Sequence, residues 1–175
     1  MRRRAIFAAA LFGLAAGAAA RADTGECADC RYAGDLSVLF VAPRAIGPEW
    51  ESLAESPADP QQDAELRSAG VLATHSLHYT HAVRGGSEVC SAEIWRFASP
   101  AQARAAEPEV QRDGWRVAAH GNLIVMLHGV SLRFGEKLRP GLVPACRRLG
   151  ELLDENTRAA LRAAPAKSPG SARER

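Results

Sequence analysis

The stretch that most constrains the fold lies at residues 71–97. Across VLATHSLHYTHAV (71–83), Val71, Ala73, His75, Leu77, Tyr79, His81 and Val83 alternate with Leu72, Thr74, Ser76, His78, Thr80 and Ala82. The cluster Arg84-Gly85-Gly86-Ser87 follows, and EVCSAEIWRF then resumes a β-rich pattern. Strand side chains alternate between two faces, so two such runs around a glycine pair predict a β-hairpin.

That prediction decides how HSLHYTH (75–81) is read, with a histidine at every third position. Ligands of one ion must converge, because Zn–N bonds run about 2.0–2.1 Å. On a helix His75 and His78 share a face; on a strand they point to opposite sides. His75 and His81 share a strand face but lie about 20 Å apart at roughly 3.3 Å per residue. The period of three therefore signals a metal only if the segment is helical, and its alternation and β-prone residues favour a strand. A bridged site would need one of these rings to meet His120 or His128 from elsewhere in the chain. Otherwise His75 and His81 sit on a half-buried face beside Leu77 and Tyr79, while His78 faces solvent.

Further elements follow from local chemistry. LSVLFV at 36–41 is β-branched and aromatic and is closed by Pro43, which predicts an N-terminal strand. Residues 47–60 stay open between strand and helical turn, and PADPQQ at 57–62 reads as loop. Ser99-Pro100-Ala101-Gln102 predicts a helix start: Ser99 caps, Pro100 loses no needed N–H, and Gln102 can complete a capping box. That helix should end or kink near Pro108 and stop by Asp113-Gly114. Residues 115–119 and 123–127 flank His120-Gly121-Asn122 as a second hairpin. Leu142, Cys146, Leu149 and Leu153 form one apolar stripe of a last helix over 141–153, with 154–164 as a possible continuation. The expected architecture is α+β: an antiparallel sheet of two β-hairpins plus an N-terminal strand, with two helices packed on one face.

The N-terminus opens with Arg2, Arg3 and Arg4, continues with an apolar run, and reaches Ala20-Arg21-Ala22. This is the pattern of a cleavable secretory signal over 1–22 and directs the chain to the periplasm or outside the cell. Arg3-Arg4 faintly resembles a twin-arginine signal, but any signal n-region carries such a pair. The apolar run is shorter than the roughly 18–20 residues that cross a bilayer, so no membrane span is expected. The organisation that follows is an arm with C-x-x-C at 23–34, one α+β domain at 35–157, and a basic tail at 158–175 expected to be disordered. The formal charge of +2 falls to about −2 without the signal, and to about −6 for the body without the tail. An acidic body repels phosphate, which argues against nucleic acid.

Cys27, Cys30, Cys90 and Cys146 are an even set in a chain bound for an oxidising compartment, which predicts two disulfides. Cys90 shares a strand face with Ala92 and Ile94, and Cys146 lies on the helix stripe. Cys90–Cys146 with Cys27–Cys30 is therefore the preferred pairing, with a tether from Cys27 or Cys30 to the body as the alternative. Cys27-Ala28-Asp29-Cys30 precedes any predicted strand, so it lacks the setting of a thioredoxin-type pair. Arg31 stands where c-type haem attachment requires histidine. Cys146, were it free near a helix start, would be the best nucleophile in the chain. Glu93, Trp95 and Arg96 mix charge with an aromatic ring and could line a cleft. No phosphate loop, nucleophile elbow, zinc-protease or calcium-loop motif occurs. The expected function is that of an exported, non-catalytic binding or accessory protein for an unidentified protein or small molecule, with no cofactor. One rival is a metal binder using Cys27, Cys30 and some of His75, His78, His81, His120 and His128. The other is a thiol–disulfide oxidoreductase or another enzyme.

Overall fold

The computed structural model describes residues 30–54, 59–111, 114–133, 139–140 and 144–164. The expected signal, Cys27 and most of the basic tail lie outside the described residues.

The long hairpin forms where the alternation placed it. Strand β2 spans Ala73–Val83 and β3 spans Gly86–Arg96, and they pair antiparallel across an Arg84-Gly85 turn with Tyr79 opposite Cys90. The second hairpin joins β4, Trp115–His120, to β5, Leu123–Arg133. Strand β1, Trp50–Ala54, pairs with β2, so this part of the open 47–60 segment is strand. The sheet order is β1-β2-β3-β5-β4, with the short β6, Arg139–Pro140, beside the far end of β5. The α+β class and the antiparallel sheet thus stand.

The expected arrangement of helices needs correcting. Four α-helices occur among the described residues: α1 (Pro43–Ile46), α2 (Ala64–Ser68), α3 (Pro100–Ala106) and α4 (Pro144–Ala163). They pack on both faces of the sheet. On the first face Cys146, Leu149 and Leu153 of α4 meet Cys90, Ala92, Ile94, Leu123, Val125 and Leu127. On the second face Leu66 of α2 and Ala103 and Ala106 of α3 meet Trp95, Ile124 and Met126. The reason lies in β5, whose residues 123–127 (LIVML) are apolar without alternation and buried on both sides. A strand of that kind needs a cover above and below.

The N-terminal strand expected at 36–41 is instead a 3₁₀ turn, Leu36–Leu39. The Asp35 carboxylate accepts from the Ser37 N–H at 2.9 Å and from the Ser37 hydroxyl at 2.7 Å, which bends the chain before it can extend. Leu36 and Leu39 are buried while Val38 is 66% exposed, a period of three and not of two. The segment docks through Tyr79, whose hydroxyl donates to the Val41 carbonyl at 2.9 Å and accepts the Val41 N–H at 3.1 Å. Burial pushes the Tyr79 phenol up to about 12. Tyr79→Phe leaves both Val41 groups without that partner and should cost about 1–3 kcal/mol in urea unfolding. An unchanged midpoint would show that the clamp is dispensable.

Helix α3 starts as predicted, with Pro100 in the first turn and Ser99 Oγ accepting the Gln102 N–H at 3.3 Å. The Gln102 side-chain oxygen accepts from the Ser99 hydroxyl instead of closing a box on the backbone. Helix α4 continues unbroken through the expected 157/158 boundary, and Leu161 is buried. The arm is also anchored near its end. Asn122 accepts the Tyr32 N–H at 2.6 Å and donates to the Tyr32 and Phe97 carbonyls, while Arg96 donates to the Gly34 carbonyl. At Gly121 (φ +53°) an added Cβ would lie 2.6 Å from the Cys30 carbonyl oxygen, so this turn and the arm require a residue without a side chain.

Candidate functional site

Two polar groupings stand out, one inside the molecule and one on the sheet. The interior grouping joins Arg116 and His120 of β4 to Asp154 of α4. Asp154 and Thr157 extend the apolar stripe of α4, and both are buried with Leu153 and Leu161. The His120 Nε2 and Asp154 Oδ1 lie 3.0 Å apart, and Arg116 bonds the other carboxylate oxygen. Burial by itself would raise the Asp154 carboxyl, but the His120 hydrogen bond and the Arg116 charge outweigh it and hold the group below its usual range. Arg116 reaches Asp154 by passing beneath Gly150, one helical turn earlier. A Cβ at Gly150 would run into the guanidinium and come within 3.1 Å of Leu127 Cδ2. Gly→Ala inside a helix ordinarily stabilises by about 0.5–1 kcal/mol. Gly150→Ala should instead destabilise, by roughly 1–2 kcal/mol, because it displaces Arg116. A higher urea midpoint for this variant would show that Arg116 can step aside.

His120 is only 4% exposed and Asp154 is buried, so this grouping fastens α4 to β4 from the inside, with Arg116 reaching it from the surface. Read from the sequence, the stripe stops at Leu153, and Asp154 and Thr157 receive no role. A signal was present: both fall on the stripe set by Cys146, Leu149 and Leu153.

The second grouping follows from register. Leu53, His78, Ser91, His128 and Trp115 face one another in turn across β1, β2, β3, β5 and β4, making one row over the second face. The α2/α3 cover lies at the Trp95 and Ile124 end of this face, and its apolar cluster reaches the row only at Trp115. Leu53 at one end is 61% exposed, and Leu132 further along the face is 39% exposed. His78, Ser91, His128 and Trp115 are half-buried. His78 Nδ1 and Ser91 Oγ lie 2.7 Å apart, and the His128 ring stacks on Trp115 at 4.9 Å with the planes 20° apart. His78 was expected simply to face solvent; it stands on the predicted side but engages β3.

The remaining histidines lie on the first face. His75 packs against Phe40 with ring centroids 5.1 Å apart, and His81 packs against Trp50 at 5.3 Å. His81 Nδ1 lies 3.9 Å from the Glu88 carboxylate. The triplet is thus divided between two faces, and His120 and His128 meet none of its members in the contacts above. No group of three or more metal-ligating side chains occurs among the described residues. Trp95 is buried and donates to Glu93, and Arg96 holds the arm, so these residues do not line a cleft together. Cys90 and Cys146 form a disulfide with Cα atoms 5.5 Å apart, both fully buried, so Cys146 is no nucleophile. Cys30 is also disulfide-bonded. Among the described residues no helix is long and apolar enough to cross a membrane.

No protein-family model, curated protein or solved structure matches this chain.

Proposed function

We propose that the protein is an exported binding or accessory module whose ligand surface is the uncovered part of the second sheet face. The observation that carries this reading is the row Leu53–His78–Ser91–His128–Trp115, in which hydrogen-bonding groups lie between apolar ends on rigid strands. Binding surfaces of proteins commonly combine an apolar lining with a few fixed polar groups. Export is supported by the oxidised pair Cys90–Cys146, since such bonds persist in oxidising compartments. The acidic body remains a reason to exclude nucleic acid as the partner.

Metal analysis of the purified protein, coupled with intact-mass measurement before and after mild reduction and alkylation, tests this reading against its rivals. The expected result is no stoichiometric metal and no thiol released without denaturant. Bound metal at one equivalent would favour the metal-handling alternative. A Cys30 bond that opens readily in the folded protein would favour the oxidoreductase.

A further inference from the structure

We infer that Ser91 is an activated nucleophile that accepts an acyl group from an activated ester. The inference rests on the proposed binding face and names the class of ligand that this face would capture. A serine hydroxyl is a weak nucleophile unless a base stands within hydrogen-bond reach, about 2.6–3.2 Å. The His78 Nδ1 at 2.7 Å from Ser91 Oγ meets that condition, across neighbouring strands that hold both side chains on the same face. With the imidazole proton on Nε2, the Ser91 hydroxyl donates to Nδ1.

The surroundings divide the chemistry unevenly. Strand β3 is paired along both edges, so its backbone amides are committed to the sheet and form no cradle for an oxyanion. The residue opposite Ser91 on the other side is His128, whose ring stacks on Trp115. Leu53, 61% exposed, gives one end of the row apolar surface suited to an acyl chain or aromatic leaving group, while Trp115 at the other end packs against the α2/α3 cluster. In the step itself, Ser91 Oγ bonds to the carbonyl carbon as its proton passes to His78 Nδ1. The ester's C–O bond then breaks, and the departing oxygen takes that proton and leaves as the alcohol or phenol. The product is an acyl ester on Ser91. Without a preformed backbone donor pair, hydrolysis of that ester is slow and the reaction is capture, not turnover.

The test exposes the full chain to 4-nitrophenyl acetate and, separately, to an alkyl fluorophosphonate, with peptide mapping of the adduct. One equivalent on Ser91 is expected, absent in Ser91→Ala and roughly a hundredfold slower in His78→Gln, which retains a hydrogen-bonding group but cannot take up the proton. Added imidazole should restore labelling in His78→Ala, a rescue that a purely structural role would not show. Circular dichroism and the urea midpoint establish that each variant is folded. Absence of an adduct, equal labelling of Ser76 or Ser87, or an undiminished rate in folded His78→Gln overturns the inference. None of these outcomes touches the binding reading, which fails through bound metal or a labile Cys30 bond.

Discussion

Cys90→Ala/Cys146→Ala should lose about 4 kcal/mol of stability, from the chain entropy released when a crosslink spanning 56 residues is removed. For a domain of this size such a loss lowers the melting temperature by roughly 8–16 °C. The effect is large because the bond joins the central strand β3 to α4, the helix covering the first face. Both cysteines are fully buried, so reductant without denaturant should leave the wild type unaffected while the double variant melts early. Equal urea midpoints for the two proteins would mean that packing of α4 alone holds the helix in place.

Asp154→Ala should cost about 3 kcal/mol, the lower part of the range for breaking a buried ion pair, because Arg116 keeps 38% of its side chain exposed. The variant strands His120 in the interior without its carboxylate. The same carboxyl gives stability a pH dependence of defined sign. Its folded-state value is depressed, so the stabilisation is complete above the unfolded value and is lost as pH falls through the folded one. Wild type should therefore weaken below about pH 4. Asp154→Asn should flatten that part of the curve while lowering the plateau. Unfolding midpoints collected between pH 2 and 7 read both effects, and parallel curves would exclude Asp154 as the source.

What the sequence revealed depended on whether a local pattern had one cause. Residues 71–97 announced their hairpin because alternation and turn chemistry agreed, and Ser99-Pro100 announced α3 through capping. The preferred cysteine pairing rested on two faces read correctly, and the structure joins those same two residues. LSVLFV misled because its composition suits a strand, whereas the Asp35–Ser37 bonds impose a turn; the Asp-x-Ser spacing was the available clue. The unbroken LIVML of β5 already implied burial on both sides, and with it helices on both faces. Helix α2 was missed within a segment dominated by Pro60 and its polar neighbours. Its N-cap, Asp63, accepts from the Glu65 and Leu66 amides, a sign overlooked in the loop-like composition.

The candidate row was the least legible part. Its residues come from five strands, and only the order β1-β2-β3-β5-β4 sets His78 and His128 on either side of Ser91. The eye is drawn to HSLHYTH as a unit, yet strand geometry splits it and gives His78 to a partner thirteen residues away. Long-range register of this kind leaves no trace in spacing along the chain.

Because Cys146 fastens α4 to the middle of the sheet, the covalent path through the molecule does not depend on the connecting backbone. A protease that cuts once between residues 91 and 145 would yield two polypeptides that migrate as one until a reducing agent parts them. A nick of this kind would open the backbone without shedding the helix that shields the core.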